Sequence, residues 1–275
     1  MFLHQIAALG GRPILAAIIG NDAAGDLLIS ELERMCVSTG TIVRTSEVLT
    51  TTKTRVLAGH QHAPKNQVIR IDHEPSGSIP NGVRNEYLSL VRTAIEDADA
   101  VIFSDYGYGA ADEHIFEFCR EATANRSVPL IVDSRFRLSV FRGAFSATPN
   151  QEEAEAAIGG PINDESCKEL LKKFGHRALL VTCGGRGMRL YEADKQCKVI
   201  PAIGSTEPVD VTGAGDTVIA AFALGLASGL DVADAASIAN HAGGIVVMKK
   251  RTAVASADEL AASLDREAAR AFHRP

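Results

Sequence analysis

The chain has 275 residues, 46% hydrophobic and 23% charged, which is enough to bury a large core in one or two domains. A net charge of −6 excludes the basic face that non-specific nucleic-acid binding needs. The five cysteines (Cys36, Cys119, Cys167, Cys183, Cys197) are scattered without a CxxC pair, which excludes a disulfide framework or a cysteine zinc site and suits a reducing compartment.

In chain order, the start Met1-Phe2-Leu3-His4 lacks a basic segment followed by a long apolar one, so no secretory leader is expected. Short apolar runs recur at 13–20, 98–105, 128–134 and 177–185, each bounded by glycine, proline or charge. They read as strands buried on both faces of a mostly parallel sheet. Helical segments are expected at 23–35, 82–97, 111–125, 151–158 and 164–174, then two glycine-containing helices at 214–228 and 231–248. Alternating strand and helix implies an α/β fold of right-handed βαβ units. From about 41 to 75 the rhythm changes to alternating β-branched and polar residues, which predicts a small β-sheet inserted as a lid in a single domain spanning 1–275. The most apolar run, Val218–Leu230, is interrupted by Gly225 and Ser228 and is too short to span a bilayer. A soluble, cytoplasmic protein without nucleic-acid or membrane partners is expected.

Ligands of an open parallel sheet bind at the carboxyl ends of its strands. Asp105 and Asp133 end two of the apolar runs, which makes both candidates for substrate binding; helix or turn capping is the plain alternative. In "PVDVTGAGDT" (208–217) glycines at 213 and 215 open a helix, so unpaired N–H groups and the helix dipole converge on an anion site. Asp216 beside it repels an anion but is placed to accept a proton from an attacking hydroxyl; capping the helix is its alternative. Lys53 and Arg55, two apart, share one face of a strand and suit an acceptor that already carries phosphate, or else form a solvated edge. His60 and His62 are also two apart, but without a third ligand they read as exposed loop residues.

"DVTGAGDT" resembles the signature of the ribokinase-like (PfkB-type) carbohydrate kinases. "TPNQEEAE" (148–155) is similar to that family's Asn-x-x-Glu motif, "LLVTCGGRGM" (179–188) to its nucleotide-side strand and turn, and "AIIGNDAAGD" (17–26) to the segment after its first crossover. The resemblance covers nearly the whole chain and implies a three-layer ribokinase-like fold, ATP and Mg²⁺ as cofactors, and a sugar or sugar phosphate as acceptor. It makes Asp216 the general base and the amides of Gly213, Ala214 and Gly215 the anion hole. Asn150, Gln151, Glu152 and Glu153 would line the nucleotide, Glu153 reaching Mg²⁺ through water. Thr182, Gly184 and Gly187 would border the nucleotide, with Asn240 and Gly243 on the adenine side. "TTKTRVL", "NQVIRIDHE" and "FSDYGYG" most resemble heptose-7-phosphate kinases, which implies transfer to the C1 hydroxyl of a heptose phosphate and a homodimer formed through the β lid.

Three departures accompany the match. The family's first strand and Gly-Gly-x-x-x-Asn segment are missing ahead of "MFLHQIAALGG", Tyr108 stands where heptose-phosphate kinases carry a lysine, and "MKKRTAVAS" (248–256) lacks a glycine near the cation site. A kinase for a neutral sugar or nucleoside, and a catalytically impaired nucleotide or sugar binder, are therefore the alternative readings.

Overall fold

The computed structural model describes residues 2–58, 66–75, 77–204, 208–250 and 252–272. The chain runs α1 (Phe2–Ala8), β1 (Ala17–Gly20), α2 (Ala23–Arg34), β2 (Ile42–Thr45), β3 (Thr52–Ala58), β4 (Asn66–His73), α3 (Asn81–Glu96), β5 (Val101–Asp105), α4 (Glu113–Ala124), β6 (Leu130–Ser134) and β7 (Ser146–Ala147). It continues through α5 (Gln151–Ile158), α6 (Asp164–Phe174), β8 (Ala178–Thr182), β9 (Met188–Glu192), β10 (Lys198–Ile200), α7 (Ala214–Ala227), α8 (Val232–Val246) and α9 (Ala257–Phe272). Two compact units result, one of Met1–Pro13, Ile95–Gly107 and Ala111–Pro275, the other of Ile14–Ala94 and Tyr108–Ala110.

The larger unit is built on a six-stranded sheet ordered β10-β9-β8-β7-β6-β5. Strands β5 to β8 are mutually parallel, and β9 and β10 are added antiparallel. The sheet is mostly parallel, as expected, but β7, β9 and β10 lie outside the apolar runs that announced the other strands. On one face Ile131, Ala178, Leu180, Met188 and Leu190 join Val218, Phe222, Ala235 and Ala239 of α7 and α8 in a single core. Leu130, Val132, Leu179 and Val181 are buried as well, on the alternate side of the same strands. Burial on both faces is why these strands carry no polar alternation. Each such large aliphatic side chain contributes about 1.5–3 kcal/mol. Phe103, Phe116 and Phe141 close a ring cluster with centroids 5.1 to 5.3 Å apart. α1 is fixed by Gln5, fully buried, whose amide exchanges two 2.9 Å hydrogen bonds with the backbone of Ala255.

In the smaller unit β1 pairs in parallel with β2, Ala17 opposite Ile42. Residues 42–45 therefore belong to this pair, and the lid-like element is the antiparallel hairpin β3–β4 alone. Arg44, on β2, ion-pairs with Asp26 at 2.5 Å. The hairpin is two-sided. Cross-strand pairs Lys53–Asp72 and Arg55–Arg70 alternate with Thr54–Ile71 and Val56–Ile69, so one face is charged and the other apolar.

Candidate active site

The stretch before α7 is a sequence of tight turns. The Asp210 carboxylate accepts the Thr212 N–H at 2.9 Å, and Ala214 N–H bonds the Val211 carbonyl at 3.2 Å. Gly213 holds φ 77° and ψ 9°, the third position of a type II turn, where only glycine is unstrained. Here the structure corrects one expectation. Ala214's amide is spent on closing the turn, so the donors left toward the start of α7 are those of Gly213 and Gly215, which have no partner among the described residues. Asp216 follows in the first helical turn, half-buried, and burial lifts its carboxyl above the usual range. Behind it Thr217 to Ala223 are buried without a break, which anchors the turn to the core.

Parallel pairing places the next two motifs side by side. Asn150 and Thr182 form an isolated bridge, with Thr182 N–H on the Pro149 carbonyl at 3.0 Å. The Asn-x-x-Glu spacing has a local cause that sequence reading missed. It is a capping box: Asn150 Oδ1 accepts Glu153 N–H, and Glu153 Oε2 accepts Asn150 N–H, both at 2.9 Å. Gln151 reaches Glu155 at 2.7 Å and accepts from Arg186, while Glu152 points to solvent. The turn Gly184–Arg186 leads to Gly187, where φ is 87° and a Cβ would strike the Ile200 carbonyl. Gly184, at φ 56°, has open space around it. Asn240 donates to the Pro201 carbonyl at 2.7 Å, and Gly243 lets α8 approach Val218 of α7. Gly187, Asn240 and Gly243 thus each have a packing reason that stands apart from any nucleotide.

Asp105 is the last residue of β5 and Asp133 the last but one of neighbouring β6, and they differ sharply. Asp105 is closed off: it accepts from Arg137 at 2.5 and 3.1 Å, Ser134 Oγ at 2.8 Å and Gly107 N–H at 2.9 Å. It ties β5 to β6 and has no open face for substrate. Asp133 has no ion pair among the described residues and is electrically strained. Burial pushes its carboxyl up to about 7, and the charges of Glu153 and Asp216 push the same way. Glu153 is also raised, chiefly by burial. Tyr106, after β5, is pushed up to about 12 by burial first and then by Asp216 and Asp133, so these groups share one neighbourhood.

In the smaller unit Lys53 is already matched, with Nζ at 3.2 Å from Asp72 and 2.8 Å from Glu74. Tyr108 donates to Glu74 at 2.5 Å and lies with its ring 5.4 Å from the same ammonium. Bonds from Lys53 and Tyr108 draw Glu74 down, and Lys53 itself is raised, first by Glu74. Arg55 sits directly opposite Arg70, which is bonded to Asp72 at 2.9 Å. Nearby is a cavity of about 150 Å³, lined by Ser46, Glu47, Thr51, Ser78 and Tyr108 with aliphatic walls and, among the described residues, no basic side chain. His60 and His62 lie outside the described residues.

Among the described residues no three His, Cys, Asp or Glu side chains are arranged to hold a metal, and no helix is long and apolar enough to cross a membrane. The donor set still fits Mg²⁺, which keeps most of its waters and takes one or two carboxylates. Glu153 uses one oxygen in the capping box, so the other could meet a metal-bound water.

A match to the pfkB family of carbohydrate kinases spans residues 3–259. The chain is 34% identical over 270 residues to the bifunctional protein HldE of Trichlorobacter lovleyi, covering 96% of this chain and 54% of that protein. It is 38% identical over 283 residues to the HldE of Granulibacter bethesdensis, covering 96% and 56%. The chain thus spans about half the length of these relatives. Among solved structures, phosphofructokinase-2 from Escherichia coli in complex with potassium superimposes with a TM-score of 0.79 at 17% identity, covering 97% of this chain and 86% of that one. Arabidopsis thaliana ribokinase complexed with ribose and ATP gives 0.74 at 19%, covering 96% and 86%. The fold is ribokinase-like.

Proposed function

The chain belongs to the pfkB family of carbohydrate kinases, and from that premise we propose that it transfers the γ-phosphoryl group of ATP to a hydroxyl of a phosphorylated sugar, a heptose 7-phosphate at C1. The observation that carries this reading is Asp216, half-buried and raised in pKa beside the Gly213 and Gly215 amides. Ionised Asp216 takes the proton of the acceptor hydroxyl as its oxygen attacks phosphorus, and the amides receive charge on the phosphoryl oxygens. Asn150, Gln151 and Glu152 border the nucleotide phosphates, with Thr182 and Gly184 beside them. Glu153 would hold Mg²⁺ through water, and the metal would supply charge neutralisation for the phosphates. The heptose acceptor is supported by the HldE relatives. Among the described residues of the hairpin Arg55 is the cation left for its phosphate, because Lys53 is matched by two carboxylates and Arg70 is bonded to Asp72. A second copy of the chain fits the hairpin's other face, where Val56, Ile69 and Ile71 are exposed at 42%, 52% and 43%. Sedimentation of Ile69→Asp as a monomer alongside a wild-type dimer is the expected result; unchanged mass removes the dimer reading.

A specific observation supports a second reading, a neutral acceptor: among the described residues the cavity beside Tyr108 has no basic lining. Initial rates over paired sugars with and without phosphate separate the two. A kcat/KM at least about tenfold higher for the phosphorylated partner, lost in Arg55→Gln, is expected, since one charge-assisted contact is worth about 1.5–3 kcal/mol. Equal rates for both partners favour the neutral acceptor.

A further inference from the structure

Asp133, Glu153 and Asp216 gather negative charge where a still more negative group must arrive, so a protein cation beside Mg²⁺ would serve there. Among the described residues, three arginines follow strands at the carboxyl end of its sheet. Arg137 is consumed by Asp105 and the Ala111 carbonyl. Arg186 is turned to Gln151 on α5. Arg135 remains: it is exposed and forms no ion pair among the described residues, while its backbone N–H holds the Asp105 carbonyl at 3.4 Å. It leaves β6 two residues after Asp133, on a segment whose start that bond ties to the end of β5. Phe136, 79% exposed, carries the Arg135 guanidinium 5.8 Å from its ring centre. Such an exposed phenyl ring has no packing role, but as a platform it restricts a planar cation.

We propose that Arg135 binds the phosphoryl group in flight, held for that task by Phe136. The inference rests on the reading of Asp216 as the base. In the step, the acceptor oxygen forms a bond to the γ-phosphorus and its proton passes to Asp216. The bond from that phosphorus to the β–γ bridging oxygen breaks, and ADP leaves with the electron pair. Arg135 donates N–H groups to the non-bridging oxygens, which its planar fork and permanent charge suit.

Aluminium fluoride, a mimic of the planar phosphoryl group, tests this without turnover. Calorimetry with Mg·ADP, with and without aluminium fluoride, is run on wild type, Arg135→Ala and Arg135→Lys. The fluoride is expected to tighten ADP on wild type. That tightening is expected to fall about 10²- to 10³-fold in Arg135→Ala and in part in Arg135→Lys, with affinity for ADP alone within about threefold. Full tightening in Arg135→Ala overturns the assignment and leaves the Asp216 reading standing. No tightening in wild type overturns that reading, and the assignment with it.

Discussion

In the hairpin, Lys53 lies between Asp72 and Glu74, and both carboxyls sit below their usual range; for Asp72, partial desolvation is outweighed by bonds from Lys53 and Arg70. At the carboxyl end of the six-stranded sheet, Asp133, Glu153 and Asp216 all sit above theirs, each chiefly because burial disfavours the charged form. The same residue types thus serve opposite ends. Paired carboxylates hold a two-stranded ribbon with no core of its own. Carboxylates buried without an ion-pair partner cost stability, and proteins keep such groups where chemistry uses them.

Three substitutions probe this contrast. The largest effect is expected where a buried carboxylate does have a partner. Arg137→Ala strands Asp105, whose side chain is 2% exposed, and is expected to lower folding stability on the order of 3 kcal/mol by urea denaturation. A loss below about 1 kcal/mol would mean that Ser134 and Gly107 alone satisfy it. Next comes Asp133. Its folded pKa of about 7 lies above the unfolded value near 3.9, so the native state binds the extra proton between those limits. The destabilisation is complete above pH 7 and is relieved as pH falls toward 4. Asp133→Asn is expected to gain about 2–3 kcal/mol more over wild type at pH 8 than at pH 5; a pH-independent difference contradicts the burial argument. The smallest effect belongs to the hairpin. Lys53→Met is expected to leave the global unfolding midpoint unchanged, because exposed pairs add little, while speeding amide exchange in β3 and β4. A shifted midpoint would show that the hairpin is part of the cooperative core.

Much of this was legible in the chain. The apolar runs at 98–105, 128–134 and 177–185 contain β5, β6 and β8, and helices α5 and α6 begin and end where patterning puts them. β9 and β10 escaped notice because "RGMRLYEADKQCKVI" mixes charge with apolar residues at a sheet margin. The DVTGAGDT and Asn-x-x-Glu strings were legible as a glycine turn and a helix start, because local turn and capping chemistry is written in adjacent residues. Partnerships across distance were not legible. Asp105 meets Arg137, 32 residues on, and Lys53 meets Glu74, 21 residues on, only after strands have paired. That is why Asp105 read as an open ligand and Lys53 as a free cation.

The most direct measurement is the rate of γ-phosphoryl transfer from ATP by wild type and Asp216→Asn under saturating sugar phosphate, followed from pH 5 to 9. With Asp216 as base, kcat is expected to fall about 10²- to 10⁴-fold in the variant. The acid limb of wild type, where Asp216 protonates, is expected above the ordinary carboxylate range and absent from the variant. An unchanged kcat in Asp216→Asn, or an acid limb shared by both proteins, would contradict the assignment of Asp216 as the proton acceptor.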